Sequence, residues 1–433
     1  MIRIEKALTQ PVPSDIYTIG APEDILFFDT ETTGLSARSA GLYLIGVLTY
    51  DHGHWTLLQY FCENVADEPA VLQAFFELLS TKKILISYNG DGFDIPFLRH
   101  MVEQYGLPYS FDTVESFDLF KKFRPLKHLL GLPDLKLKSC ERFLGIDRED
   151  RFTGGELIEV YFEWQKTKAP ALLDTLLLHN AEDIANLPNL LPLLRYRSLS
   201  HSEFQLRAHE LLPQDSRFTE ESKTAVNGFA SLTSGIAHTD TPRTTPLLHL
   251  SFTLLSPMSP SAHAPAENVT REATDDRRLH CPDAGDHGTR EVTDDRRQHC
   301  PALTLPKPMD LRGDFWALHA EGSAVELYVQ LFEGERKLFF ADFEHYYYLP
   351  SEDQVIHQSL AEFVDRSARR KACARNCYQR VTGCFLPEWS EVYTPALRAE
   401  YRDKLRYAQY SDTLFDDEAK AVAYLKSFLE TAL

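Results

Sequence analysis

Two carboxylates separated by one residue follow an apolar run near the start of the chain. Asp29 and Glu31 lie in the segment FFDTETTGL, residues 27–35. Successive side chains of a β-strand point to opposite faces, so these two project from the same face and can converge on one cation. The same spacing also occurs at surface-facing strand ends, and by itself it leaves both interpretations open.

Two further polar groups occupy positions that suit either a structural or a chemical role. In YNGDGFDIPFL, residues 88–98, a strand runs through a Gly-containing turn into a helix that starts at Asp94, where an Asp also serves as a helix N-cap. In LHNAEDI, residues 178–184, His179 and Asp183 stand one turn apart on a helix face, which is also the pattern of a solvated polar contact.

Strands and helices must position these groups. Over residues 25–195, short apolar runs alternate with longer segments of helical periodicity. This pattern is typical of an α/β domain. It predicts strands at residues 25–29, 43–50, 55–62 and 84–88, and helices at 68–80, 96–105, 135–144, 156–168 and 171–186. Three consecutive strands followed by helix, strand and helix indicate a mixed sheet flanked by helices. We expect this first domain to span residues 1–196.

The remainder of the chain has a different organisation. Residues 197–255 predict a connector and the start of a second domain, with a strand at 247–255. Residues 256–308 are rich in Pro, Asp, His and Thr and have no apolar period, so we expect a disordered low-complexity linker or insert. Residues 309–433 predict a smaller α+β domain, with a hairpin over 325–342 that turns at 333–335 and a helix at 349–363.

A two-copy repeat lies inside the insert. TREATDDRRLHCP, residues 270–282, and TREVTDDRRQHCP, residues 289–301, match at eleven of thirteen positions. The copies supply four side chains that could in principle bind zinc, although adjacent His and Cys lack the usual finger spacing: His280, Cys281, His299 and Cys300. A recently duplicated flexible insert is the favoured interpretation.

Composition limits the classes of protein that remain. The chain has 45 Lys and Arg against 64 Asp and Glu, a net charge of −19. It lacks both a run of about 18 apolar residues and a signal-peptide core, so we expect a soluble cytoplasmic protein with no membrane partner. Net negative charge disfavours sequence-independent nucleic-acid binding, but the local basic tracts at residues 119–140 and 366–380 could contact phosphates. A solvated surface is the favoured interpretation for 366–380, and for 119–140 both interpretations stay open.

The three polar motifs together resemble the DEDD superfamily of 3′-to-5′ exonucleases, which has a ribonuclease H-like fold. Asp94 lies 65 residues after Asp29, and Asp183 lies 89 residues after Asp94. The resemblance covers about residues 25–195, and it is strongest to the bacterial YprB-like branch, whose helix and turn between the second and third motifs are similar to LKLKSCERFLG at 135–145. One departure concerns His179, which precedes Asp183 by four residues, whereas the histidine subfamily usually has five.

The resemblance implies two sets of site residues. The catalytic residues would be Asp29, Glu31, Asp94, His179 and Asp183, with the four carboxylates holding two Mg²⁺ or Mn²⁺ ions and the histidine orienting or deprotonating a water. Crowded carboxylates repel one another, and two hard divalent cations relieve that repulsion. Substrate would be bound by Thr32 and Leu35 beside the terminal base and by Asn89 and Phe93 at the nucleotide pocket, although Phe93 also suits a core position.

These expectations define one leading hypothesis and two alternatives. The leading hypothesis is a metal-dependent 3′-to-5′ exonuclease that uses two ions to release 5′-mononucleotides from the 3′ end of single-stranded DNA or RNA. The first alternative is a catalytically inactive ribonuclease H-like protein that binds nucleic acid or acts as a scaffold. The second is an endonuclease of the wider ribonuclease H-like class. The sequence leaves open the choice between DNA and RNA and the identity of protein partners.

Overall fold

The computed structural model describes residues 1–212, 246–255 and 304–433. These residues form two compact units. The first contains Met1–Ser200, Leu305–Leu311 and Leu429–Leu433, and the second contains the described parts of His201–Thr304 and Arg312–Phe428. The two-copy repeat and most of the expected linker lie outside the described residues.

A six-stranded mixed sheet forms the centre of the first unit. Its strands are β1 (Ile2–Ala7), β2 (Ile25–Thr32), β3 (Leu42–Asp51), β4 (His54–Phe61), β5 (Ile84–Ser87) and β6 (Glu115–Asp118). Their order in the sheet is β1-β4-β3-β2-β5-β6. Strand β2 is antiparallel to β3 and parallel to β5, so it is the point at which the sheet changes from antiparallel to parallel pairing. The four predicted strands are confirmed, whereas β1 and β6 were not predicted.

Helices cover both faces of this sheet. They are α1 (Glu68–Leu79), α2 (Asp94–Tyr105), α3 (Leu119–Phe123), α4 (Leu126–Leu129), α5 (Leu137–Leu144), α6 (Gly154–Thr167), α7 (Pro170–Asn186) and α8 (Leu194–Arg197). Ile45 packs in the apolar cluster that contains α1 and α2 side chains, whereas its neighbour Leu44 packs in the cluster of α6 and α7. Because adjacent strand residues face opposite sides, the two helix pairs lie on opposite faces of the sheet. The predicted mixed sheet flanked by helices is therefore confirmed.

Gly46 sets how closely α7 approaches the sheet. It pairs with Asp29 across β2 and β3. A Cβ atom at this position would lie 2.1 Å from both Asn180 Oδ1 and Ile184 Cδ1 of α7. The helix therefore packs against bare backbone beside Asp29, and any side chain at position 46 would displace it.

The second unit is built from smaller antiparallel sheets. Its strands and the strand that leads into it are β7 (Glu203–Leu212), β8 (Leu247–Leu255), β9 (Met309–Arg312), β10 (Trp316–Glu321), β11 (Ala324–Gln330), β12 (Phe332–Phe339), β13 (Tyr346–Leu349), β14 (Gln354–His357), β15 (Arg370–Lys371), β16 (Tyr378–Glu388) and β17 (Arg406–Gln409). Within this unit the strand orders are β7-β8-β11-β10, β12-β16-β17 and β14-β13-β15. Helix α9 (Glu418–Ala432) ends the chain. The predicted strand at 247–255 is confirmed as β8, which pairs with β11.

Two predictions for this unit were wrong. The expected hairpin over residues 325–342 is absent, because β11 pairs with β8 and β10 whereas β12 pairs with β16. Gly334, at the centre of the expected turn, lies inside β12 with φ of 128°. The expected helix at 349–363 is instead β14 and a 3-10 helix, Gln358–Phe363. At residues 325–342 the pairing of β12 with the distant strand β16 overrode the local pattern, whereas at residues 349–363 β14 forms a local hairpin with β13.

No helix in the described part of the chain is long and apolar enough to cross a membrane.

We expect Gly46→Ala to lower the free energy of unfolding by about 1–3 kcal/mol, because the added methyl group overpacks the contact between β3 and α7. Gly155→Ala is the matched control, since Gly155 lies in α6 and its added Cβ would meet nothing within 4 Å. That change should be neutral or stabilise by up to about 1 kcal/mol. Urea unfolding of both variants measures the difference, and equal stabilities would contradict the close approach inferred for α7.

Candidate active site

Strand β2 places two acidic side chains on the face of the sheet that packs against α7. Asn180 of α7 donates from Nδ2 to Asp29 Oδ2 at 3.2 Å. Tyr43 of β3 donates its hydroxyl to Glu31 Oε2 at 3.4 Å. Both carboxylates are thus held by neutral donors, which fix their position without cancelling their charge.

Helix α7 brings its own acid and imidazole to the same place. His179 Nε2 lies 3.4 Å from Asp183 Oδ2 and 3.8 Å from Glu31 Oε1. One ligand atom from each of these three residues lies within 4.8 Å of the others. His179 is only 5% exposed. The face of α7 that carries His179 and Asp183 therefore points towards the acids of β2 and not towards solvent.

Asp94 joins the cluster from the first residue of α2. Its side chain does not cap that helix. Oδ1 instead accepts hydrogen bonds from the Thr30 backbone N–H, at 3.2 Å, and from the Thr30 hydroxyl. The capping explanation considered for this residue is therefore not what the structure shows.

The turn before Asp94 depends on a residue that sequence reasoning missed. Asp118, at the end of β6, is 2% exposed and accepts hydrogen bonds from the backbone N–H groups of Asn89, at 2.9 Å, and Asp91, at 3.3 Å. It also caps α3. These bonds stabilise the left-handed backbone at Asn89, whose φ is 66°.

Burial and mutual repulsion disfavour ionisation of the cluster. Burial, followed by the charges of Asp94, Glu31 and Asp183, raises the pKa of Asp29 well above its usual value. Burial also raises the pKa of Glu31 well above its usual value, as do the charges of Asp183 and Asp94. Burial raises the pKa of Asp94 to about 6, although the Thr30 hydrogen bonds oppose the shift. Among the described residues no Lys or Arg forms an ion pair with these three carboxylates.

The donor set fits divalent cations. Carboxylate oxygens are hard ligands of the kind that Mg²⁺ and Mn²⁺ prefer. A cation placed among Asp29, Glu31 and Asp94 would relieve the repulsion that raises their pKa values. The carboxylate oxygens of Asp29, Glu31 and Asp94, together with Asp183 Oδ2, are the candidate ligands of such a cation.

A loop between α5 and α6 supplies an outer layer that the sequence motifs did not indicate. Asp150 Oδ2 lies 2.7 Å from His179 Nδ1 and 2.8 Å from Lys138 Nζ. The Asp150 side chain is 1% exposed. Although burial opposes its ionisation, hydrogen bonds from Lys138 and His179 leave its pKa below the usual value. The pair fixes the orientation of the imidazole ring.

Arg148 of the same loop forms an ion pair with Asp183. Its guanidinium donates to Asp183 Oδ1, and it lies 3.1 Å from Glu141 Oε1 and 3.3 Å from Glu182 Oε2. Its side chain is 7% exposed. One charge is shared among several acids, so Asp183 is held without being fully neutralised. The only sequence signal for this layer is the charged run DRED at residues 147–150.

The four residues expected to contact substrate lie in the segments that follow Glu31 and precede Asp94. The Thr32 hydroxyl donates to the Gly34 carbonyl at 2.9 Å. Leu35 is 88% exposed, which is unusual for a large apolar side chain. Asn89 lies in the turn held by Asp118. Phe93 packs against the apolar cluster of α1 and α2, with its ring 5.8 Å from that of Phe97. A substrate role for these four stays a prediction.

A family-model comparison agrees with the fold. Residues 26–195 match the family model of the RNase H superfamily. This match supports a nuclease-type function for the first unit, and it identifies the domain as ribonuclease H-like. No curated protein matches the chain.

Solved structures show limited likeness. The family B DNA polymerase from the hyperthermophilic archaeon Pyrobaculum calidifontis is 17% identical with a TM-score of 0.33, and the match covers 42% of this chain and 25% of the polymerase. A nuclease in its apo form is 18% identical with a TM-score of 0.28, covering 44% and 79%. Product-bound exonuclease I is 17% identical with a TM-score of 0.23, covering 35% and 45%. The chain thus spans about a quarter of the polymerase's length and less than half of exonuclease I.

In protein stripped of divalent ions, we expect the free energy of unfolding to fall by a few kcal/mol as pH rises from about 4 to about 7. Groups with a raised folded-state pKa hold more protons in the folded state than in the unfolded chain over this interval. Stability is therefore fully present below the unfolded pKa and is lost as pH rises through the folded pKa, which for Asp94 is about 6. Urea unfolding in EDTA across this range measures the loss.

Two variants assign this loss to the site. Asp29→Asn should reduce the pH dependence, because it removes one of the repelling charges. Glu388 is a buried carboxyl of the second unit, and burial raises its pKa to about 7. Glu388→Gln therefore measures the part of the pH dependence that arises outside the site. An unchanged slope in Asp29→Asn would show that the cluster does not cause it.

Proposed function

We propose that this protein is a metal-dependent 3′-to-5′ exonuclease of the DEDD type that hydrolyses phosphodiester bonds of single-stranded DNA or RNA. One observation carries the proposal. In a ribonuclease H-like domain, side chains from β2, α2 and α7 converge as a buried carboxylate cluster whose charge is mostly uncompensated by protein cations. Such a cluster is suited to binding divalent ions beside a phosphodiester.

The chain's own residues define the chemistry that the site can perform. Two bound ions would activate a water and stabilise the leaving 3′ oxygen in an in-line displacement at phosphorus. Asp29, Glu31, Asp94 and Asp183 would hold the ions, and the buried packing around β2 excludes bulk water from their inner side. His179 directs Nε2 into the cluster, where its lone pair can either accept a proton from the water or bind a cation.

Of the two basic tracts, the one in the second unit has more charge available for a strand of nucleic acid. In the tract of the first unit, residues 119–140, Lys121 and Lys138 are paired with Asp91 and Asp150, so part of the charge is used within the protein. The tract at residues 366–380 presents five exposed cations, of which Arg380 is paired with Glu335 and Asp353. The other four can contact phosphates: Arg366, Arg370, Lys371 and Arg375. We therefore assign to residues 309–433 a role in holding the single strand.

We expect Asp29→Asn to abolish nuclease activity while leaving thermal stability unchanged or raised, because it removes a cation ligand and also relieves repulsion. The assay follows single-stranded DNA and RNA with Mg²⁺, Mn²⁺ or EDTA. A 5′ label should give a ladder of shortened products, and a 3′ label should be released at once as a mononucleotide. Asp51→Asn is the matched control, since the Asp51 side chain is 70% exposed at the end of β3.

The other outcomes separate the alternatives. Cleavage of circular single-stranded DNA would indicate an endonuclease. Binding of an oligonucleotide without cleavage by the wild-type protein would favour the inactive scaffold. Full activity in Asp29→Asn would refute the site assignment.

A further inference from the structure

Glu31, Asp183 and His179 are each held by the protein through one side-chain atom, which leaves a second atom of each to face the others. Glu31 Oε2 is bonded by Tyr43, and Oε1 faces His179. Asp183 Oδ1 is bonded by Arg148, and Oδ2 faces His179. In each carboxylate, therefore, one oxygen is held by the protein and the other is directed at the imidazole.

His179 completes this pattern. Its Nδ1 lies 2.7 Å from Asp150 Oδ2, so Nδ1 carries the proton in the neutral ring and Nε2 keeps its lone pair. Histidines that bind metals almost always donate their other ring N–H to a carboxylate or carbonyl in this way. Lys138 in turn holds Asp150 at 2.8 Å.

The spacing and burial of His179 favour a ligand over a free base. His179 and Asp183 are four residues apart on α7, the spacing at which two side chains of one helix bind a single ion. Atoms that share an ion at about 2.1 Å stand roughly 3–3.5 Å apart. His179 Nε2 lies 3.4 Å from Asp183 Oδ2, within this range, and 3.8 Å from Glu31 Oε1, a few tenths of an ångström beyond it. The ring is 5% exposed and points between two carboxylates, not towards open solvent where a substrate water would enter.

We propose that Glu31 Oε1, His179 Nε2 and Asp183 Oδ2 bind one divalent cation together, and that the imidazole makes this position selective for Mn²⁺ over Mg²⁺. Both ions bind carboxylate oxygens, but imidazole nitrogen is a softer ligand, and Mn²⁺, a transition metal, accepts it more readily than the harder Mg²⁺ does. This inference rests on the proposed metal-dependent function and refines it. Asp150 is then a positioning residue that acts through His179.

The test is direct detection of nitrogen on the bound metal. In pulsed electron paramagnetic resonance of the full chain loaded with one equivalent of Mn²⁺, wild-type protein should show ¹⁴N modulation from a coordinated imidazole. His179→Gln should lose the modulation, and His128→Gln, an exposed histidine of α4, should keep it. Asp150→Asn should raise the Mn²⁺ dissociation constant about 10- to 100-fold and change that for Mg²⁺ by less.

The possible failures are distinguishable. Tight Mn²⁺ binding by wild-type protein without ¹⁴N modulation, or with modulation that survives in His179→Gln, would overturn the histidine ligand but leave the exonuclease proposal standing. Equal preference for Mg²⁺ and Mn²⁺ would also overturn it. Absence of both metal binding and metal-dependent cleavage would refute the proposed function itself. Because the modulation is read on wild-type protein, the test holds even if a variant does not fold.

Discussion

The mutual repulsion of buried carboxylates is the constraint on which this site depends. Desolvation makes each charge costly, and the absence of paired Lys or Arg around Asp29, Glu31 and Asp94 leaves that cost uncompensated among the described residues. Such a cluster persists only where the surrounding packing is strong enough to enforce it. Here β2 lies in the middle of a buried sheet, with helices packed on both of its faces.

The way in which the acids are held preserves their charge. Tyr43, Asn180 and Thr30 are neutral donors, and each bonds an oxygen of a different carboxylate. Arg148 is the exception, but Glu141 and Glu182 share its charge with Asp183. The protein thus fixes the geometry of the cluster while leaving its attraction for cations largely intact. This is the arrangement expected of a preorganised metal site.

The second unit shows where local patterns mislead. The run around Gly334 has the composition of a turn, yet it continues as a strand because β16 supplies a partner along its whole length. Residues 349–363 combine apolar and polar positions at near-helical spacing, yet β14 pairs with β13. A strand draws its stability from another segment of the chain, so composition within one window does not determine it.

Local periodicity determined much of the first unit from sequence alone. The position of Asp29 and Glu31 on one face of a strand, the start of α2 at Asp94, and the helical spacing of His179 and Asp183 follow from side-chain repeats within single segments. The family-model match agrees with the fold inferred from these motifs.

Only the tertiary structure decided the outer layer. Arg148 and Asp150 lie in an irregular loop with no periodic signal, and they acquire their roles because that loop packs against α7. Gly46 becomes important only because α7 crosses β3 at that residue. Contacts between distant segments depend on which surfaces pack together, and the sequence of either segment alone does not specify its partner.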